Sequence, residues 1–510
     1  MTTANKLGRR DALKWLGLGG MALSLVGCQS VNAADTIKMG VTGRPRTLDP
    51  GRATDALSSR LNRLLYQALI DFDDASQPQP ALTDWQMLTS THYQFTLRQP
   101  LARFHHDQPL RAQDVVATYQ RVLDADFGSP HRGNLRNIAS VELDNELQVS
   151  FKLHQPDPLF VSRLSLGILP ADLIAKGHNF GQSPVGSGPM RFISSNEQGV
   201  VLQRQDGIEV QFIVVTDALV RVLKLVRGEL DLIQNDLSPE LVAYCQQHPG
   251  LKVAWQAGSN FAYIGMNMSD PLLANPLLRQ AIAMGIDRQA IVNAMFKGQA
   301  RLAGALLPPE HWAGHGGLMG VAYTPDQAAA FISQLRQQQA VPSSGLLPLS
   351  FKTSSDPTRI RIATLYQAQL RAVGIDLRIQ SYDWGTFYSD IVQGRFQLFS
   401  LAWVGVKSPD IFDYVFASHA LPPSGANRGR YQSERADELI IKAGQSSDLV
   451  TQAYYYRALQ AHLADDLPVI PLWYENQYVV SAQNIQGYQL HSDGRYDSLV
   501  QVTKNFTKSA

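Results

Sequence analysis

The chain has 510 residues, 45% of them apolar and 17% charged, with 45 Lys and Arg against 44 Asp and Glu. Length and composition describe a globular protein of two or three domains, each large enough to bury its own core. Four basic residues (Lys6, Arg9, Arg10, Lys14) and one acid (Asp11) precede Cys28, so the remainder is slightly acidic, which argues against nucleic acid or an anionic membrane surface as the main partner.

The chain opens with Gly8-Arg9-Arg10-Asp11, an apolar run from Trp15 to Gly27, and Leu25-Val26-Gly27-Cys28. Twin arginines ahead of a short apolar segment are a Tat-type export signal. The run is short of the ~20 apolar residues that a membrane-spanning helix needs. Leu-x-Gly-Cys resembles the lipobox of bacterial lipoproteins, which implies acylation of Cys28. Val31-Asn32-Ala33 offers the alternative of a small-residue cleavage site that would release a soluble protein. Gly17 to Ala22 fits a dinucleotide-binding pattern, but no strand precedes it and it lies inside the signal. Beyond Cys28 the only cysteine is Cys245, which excludes an internal disulfide or a multi-cysteine metal site and reads as a small buried apolar residue.

Thr36 to Val41 alternates as a strand with one apolar face, and Leu57 to Ile70 has helical apolar spacing. Short strands follow at Tyr93 to Leu97 and, around an Asp-Asn turn, from Val141 to Leu153. A helix over Ala112 to Leu123 interrupts them. Pro184 to Pro189 is strong turn punctuation and a domain crossing. Val210 to Val215, Ala218 to Leu225 and Leu230 to Ile233 form a strand–helix–strand unit, and Phe261 to Met268 is a further strand. A helix over Pro276 to Met284 begins a second half. There Leu349 to Lys352, Thr358 to Val373, Ile375 to Ile379 and Gln397 to Trp403 repeat the rhythm. The order predicts an α/β protein with two large lobes.

No catalytic motif emerges. Gly181 to Val185 fails the nucleophile-elbow pattern at its last position, and no zinc-protease helix occurs. His105 and His106 are adjacent and would point to opposite faces of a strand, while His311 and His315 lie among glycines. Asp465-Asp466 reads as a solvated helix end. These residues ask for no metal, no cofactor and no bond-making chemistry.

Several stretches in order resemble one family, the extracytoplasmic solute-binding proteins of family 5 (oligopeptide, dipeptide and nickel ABC importers). They are Thr47 to Pro50, Leu65 to Leu69, Tyr93 to Arg98, Phe104 to Val115, Pro184 to Pro189, Arg227 to Asp231, Arg279 to Ile282 with Ile286 to Arg288, and Pro468 to Leu472. The resemblance implies a two-lobed periplasmic-binding-protein type II fold with an additional α/β subdomain in the first lobe. A ligand would sit between the lobes, and closure would be read by a membrane permease and its ATPase. On this reading 1–27 is the signal and 28–36 a tether. Lobe I joins 37–60, 185–266 and 475–510; the extra subdomain is 61–184; lobe II is 267–474. The implied protein is a monomer that captures a solute and is not an enzyme. A sensory receptor of the same fold and an exported hydrolase are the alternatives.

The family's ligand segment reads W-x-A/G-D-Y-x-D-P, and in its peptide binders the acid three residues after the tryptophan pairs with the ligand's α-ammonium group. Here Trp403 matches but Val406 replaces the acid, with Lys407, Ser408, Pro409 and Asp410 following. A valine cannot neutralise an ammonium, so ordinary free-amine peptides are not expected to bind through this anchor. Asp410 can substitute if the register shifts, and Lys407 would suit an anionic group if it does not point to solvent. Arg428 and Arg430 straddle Gly429; one is expected to meet the ligand and the other to brace the lobe. Tyr263 and Asn267 are candidate hinge or cleft residues near the lobe crossing.

Overall fold

The computed structural model describes residues 36–505 apart from 424 and 447, so the expected export signal, Cys28 and all of the expected tether except Thr36 lie outside the described residues. The first strand, Thr36–Val41, runs parallel to both Glu209–Val214 and Leu232–Gln234. It sits inside a sheet rather than at an edge. Alternation in its sequence predicts one buried face, yet Thr36 and Gly40 are buried as well as Ile37, Met39 and Val41. A strand paired on both sides and covered on both faces loses the polar face that alternation implies.

The next helix spans Ala56–Leu65, capped by the Asp55 carboxylate accepting from Ser58 N at 2.9 Å. It stops five residues before the apolar spacing does. The backbone N–H of Gly188 donates to the Leu65 carbonyl at 2.9 Å, and a Cβ on Gly188 would fall 2.4 Å from the Leu65 carbonyl carbon. The Pro184 to Pro189 turn thus docks on the helix end, and the chain beyond becomes extended as Ile70–Phe72. The same turn is held by His105, whose N–H donates to the Gly186 carbonyl at 2.8 Å and whose Nε2 lies 3.0 Å from the Gly188 carbonyl. One of the two adjacent histidines is therefore a structural clamp.

Between helix and turn lies a four-stranded antiparallel sheet in the order Thr83–Thr89, His92–Leu97, Gln148–Leu153, Ile138–Leu143. The helix Ala112–Leu123 packs on it, and Phe95, Phe151, Phe160 and Tyr119 fill the core. In the second half Leu347–Ser354 runs parallel to both Ile375–Tyr382 and Leu398–Trp403, with the helix Pro357–Ala372 as the crossover.

Two long strands join the halves. Leu251–Met266 and Val469–Ala482 pair antiparallel from Leu251–Ala482 to Gly265–Val469, with irregularities between Gln256 and Asn260 and between Ala262 and Tyr263. Ahead of the first irregularity Val469–Ala482 also pairs with Leu232–Gln234 of the first lobe; beyond it Leu251–Met266 pairs with Leu398–Trp403 of the second. The crossing therefore falls inside the strand, near 257–259, and Phe261 to Met266 pack in the cores of the second half. The sequence-based division carries lobe I to 266, past this irregularity.

Candidate ligand-binding cleft

The parallel strands Leu347–Ser354, Ile375–Tyr382 and Leu398–Trp403 end on the same side, where ligands of α/β sheets collect. The loop after Trp403 turns at Gly405, where φ is +68°, and returns into the short helix Ile411–Phe416. Across from this loop stand the helix Ala56–Leu65, the extra subdomain and the C-terminal segment around Asp493. Together they enclose a cavity of about 780 Å³.

Trp403, Val406, Lys407, Ser408 and Asp410 all line this cavity. The Lys407 ammonium lies 2.5 Å from the Asp493 carboxylate. Burial by itself pushes the Asp493 carboxyl up, but Lys407, with Arg495 behind it, outweighs that and holds it at about 2. Asp410 pairs with Arg163 of the extra subdomain, whose Nε also bonds Asp157 at 2.8 Å. Two ion pairs thus run from the Trp403–Ile411 loop to the opposite wall. The loop is also pinned from behind. His311 Nδ1 accepts from Ala313 N at 3.0 Å, so Nε2 carries the proton and donates to the Lys407 carbonyl at 2.9 Å. Burial pushes the His311 imidazole down to about 4, and the Lys407 charge adds to this.

The remaining sequence candidates lie outside the cavity lining. Tyr263 is buried and its hydroxyl accepts from the Arg428 guanidinium at 3.0 Å. Asn267 donates to the carbonyls of Gly394 (3.2 Å) and Phe396 (3.0 Å), which braces a turn. Arg430 adopts a left-handed backbone, φ +55°, and donates to the carbonyls of Arg428 (3.3 Å) and Gln393 (3.2 Å). Its guanidinium caps the C-terminus of the helix Trp384–Gln393. Arg428 lies against the Trp403 ring, 4.7 Å from its centroid.

Sequence reasoning does not find the opposite wall. Arg63 bridges Asp71 (3.0 Å) and Asp497 (2.7 Å), and all three line the cavity. Asn62, also in the lining, is 7% exposed, and neither atom of its amide has a hydrogen-bond partner; the Ser408 hydroxyl is likewise unpartnered. These groups come from separate stretches with no shared motif. Four carboxylates (Asp71, Asp410, Asp493, Asp497) face three cations (Arg63, Arg163, Lys407) across the cavity, so its charged groups are largely spent on one another.

A two-lobed α/β frame with a cavity at strand ends between the lobes defines a solute-binding protein. The model of the bacterial extracellular solute-binding proteins, family 5 (middle region), matches residues 76–420, and the chain belongs to that family. It is the extracytoplasmic solute-binding component of an ABC importer. It is 28% identical over 476 residues to the probable di/tripeptide-binding protein 5 of Pseudomonas aeruginosa, covering 85% of this chain and 89% of that one. Among solved structures it is similar to the oligopeptide-binding protein AppA of Bacillus subtilis in complex with a nonapeptide (22% identity, 92% and 99% covered, TM-score 0.76). It is also similar to NikZ of Campylobacter jejuni in complex with Ni(L-His) (21% identity, 92% and 100% covered, TM-score 0.77). These two likenesses concern the fold alone.

Proposed function

We propose that this protein captures a solute of small-peptide size between its lobes and delivers it to its permease without chemical change. The observation that carries the reading is the cavity of about 780 Å³ bridged by two ion pairs from the Trp403–Ile411 loop. That volume is within the range of ligand pockets for small molecules and short peptides, about 300–1,000 Å³. Trp403 supplies an aromatic wall.

Val406 leaves no acid at the family's ammonium-anchoring position, and Asp410 and Asp493 are held by Arg163 and Lys407. The ligand is therefore not fixed by a free carboxylate on its α-ammonium group. Lys407 is equally engaged, so an anionic group would have to displace Asp493 to reach it. The unpartnered Asn62 amide and Ser408 hydroxyl favour hydrogen bonding to neutral polar groups of the ligand once the lobes rearrange around it. The protein works as a monomer, is exported by the twin-arginine route, and is tethered through acylated Cys28.

Native mass spectrometry of the purified protein tests the reading. A co-purified solute of a few hundred daltons, lost on Trp403→Ala, is expected. A free-amine peptide whose N-acetyl form binds equally well would fit; one that binds only with its free ammonium would overturn the reading of Val406.

A further inference from the structure

Each cation lining the cavity has a carboxylate: Arg63 has Asp497, Arg163 has Asp157 and Lys407 has Asp493. Arg428 has none among the described residues. Its guanidinium is held instead by neutral groups: it donates to the hydroxyls of Tyr263 (3.0 Å) and Tyr388 (3.3 Å) and lies over the rings of Trp403 (4.7 Å) and Tyr388 (5.5 Å). An arginine carries five N–H donors, and these two bonds leave three of them free. Arg428 is partly exposed, so the free donors are not sealed in the core.

The aromatic frame continues outward. Tyr388 stacks on Trp384 with centroids 5.7 Å apart and ring planes 16° apart, and Trp384 is 60% exposed. Trp384 opens the helix that follows Ile375–Tyr382, and Trp403 ends Leu398–Trp403. The whole ledge therefore stands at the carboxyl ends of the second lobe's parallel strands, the edge that carries the cavity, and Trp403 belongs to both. A large exposed indole stacked on a half-exposed phenol is costly to leave in water and offers a flat face to a flat partner.

We propose that Arg428, Trp384, Tyr388 and Trp403 form a second subsite that takes a carboxylate carried on a planar or aromatic frame. The proposal rests on the reading of the neighbouring cavity as the ligand site. The guanidinium fork pairs the two carboxylate oxygens, and the rings cover the frame. Arg428, rather than Lys407, is then the anion-recognising group of this protein, because Lys407 already has its acid. A solute with a polar body in the cavity and an aromatic acid at one end would use both subsites.

The probe is benzoate, with benzamide as its neutral counterpart, titrated calorimetrically into the full protein at low salt. Benzoate is expected to bind about tenfold tighter than benzamide or better, the scale of one charge-assisted pair. Arg428→Gln should abolish that preference, bringing benzoate to the affinity of benzamide. Trp384→Ala, a change at a position 60% exposed, should weaken both probes alike. The proposal is overturned if wild type shows no preference for benzoate, if the preference survives Arg428→Gln, or if Trp384→Ala leaves both affinities unchanged. Native mass spectrometry keeps the two readings apart. A solute bound in the cavity together with indifferent benzoate sinks only the second subsite, whereas Arg428-dependent benzoate binding with a cavity that accepts no solute sinks the function proposed above.

Discussion

The ammonium of Lys407 in the second lobe lies 2.5 Å from the carboxylate of Asp493 in the first, and the pair spans the mouth between them. Lys407→Met removes the cation and leaves a largely buried acid with Arg495 4.0 Å away as its nearest remaining cation. The cost to the bridged arrangement is about 1–3 kcal/mol, the scale of a buried group left without its partner. The ligand-free variant should show a larger radius of gyration by small-angle scattering than wild type. An unchanged radius would show that this pair does not hold the lobes together.

Asp493 also makes that arrangement pH-dependent. Its carboxyl is depressed from 3.8 to about 2, so the stability it adds is complete above about pH 4 and lost as pH falls through about 2. Scattering across that interval should show wild type expanding, with the transition absent in Asp493→Asn.

His311 acts in a higher window. Its imidazole is depressed from 6.5 to about 4, so its contribution is complete above about pH 6.5 and declines as pH falls towards 4, where the unfolded chain takes up the proton first. The linkage is at most about 3 kcal/mol. Urea denaturation at pH 7.0, 5.5 and 4.5 should show falling stability. His311→Gln, which keeps an N–H for the Lys407 carbonyl and cannot titrate, should flatten the slope.

Val406→Asp restores an acid to the cavity wall at the family's ammonium-binding position. The affinity for a free-amine dipeptide such as Ala-Ala should rise at least tenfold, about 1.4 kcal/mol, with no gain for its N-acetyl form. Equal gains for both forms would show that position 406 does not face the ligand's amino end.

A methyl group at the strand crossing should be poorly tolerated. A Cβ on Gly258 would fall 1.9 Å from the Glu475 carbonyl oxygen of the partner strand. Gly258→Ala should destabilise the fold by about 1–3 kcal/mol, as overpacking does, and alter the closure rate seen by stopped-flow tryptophan fluorescence.

Elements with a single strong pattern were legible in the sequence: Thr36–Val41, Ala112–Leu123 and Pro276–Met284 run between the expected residues. The Trp403–Asp410 stretch was singled out by its resemblance to the family's ligand segment, and Trp403, Val406, Lys407, Ser408 and Asp410 do line the cavity. What escaped depends on register between distant segments. Arg63, Asp71 and Asp497 form one network although the last lies more than four hundred residues from the first two. The first half of Leu251–Met266 also escaped, since only Phe261 to Met268 was read as a strand; at Gly258 the two backbones approach so closely that a Cβ would fall 1.9 Å from the Glu475 carbonyl oxygen. Of the two arginines flanking Gly429, local sequence cannot tell which reaches carbonyls and which reaches aromatic rings, since Tyr388 and Tyr263 come from other elements.

The two long strands have a further consequence. Leu251–Met266 and Val469–Ala482 are hydrogen-bonded neighbours within one continuous sheet, so the lobes share a ribbon and are not hung on separate tethers. A ribbon of two paired strands resists stretching and shearing but yields to torsion, most readily where its ladder is interrupted, near Gln256 to Asn260. The interruption is therefore where the ribbon that joins the lobes is softest. Phe261, just past the interruption, is the register partner of Trp403, so a turn of the ribbon re-aims the aromatic wall directly. Occupancy of the cavity and the relative orientation of the two outer surfaces are then a single mechanical variable, which a membrane partner can sense without ever touching the solute.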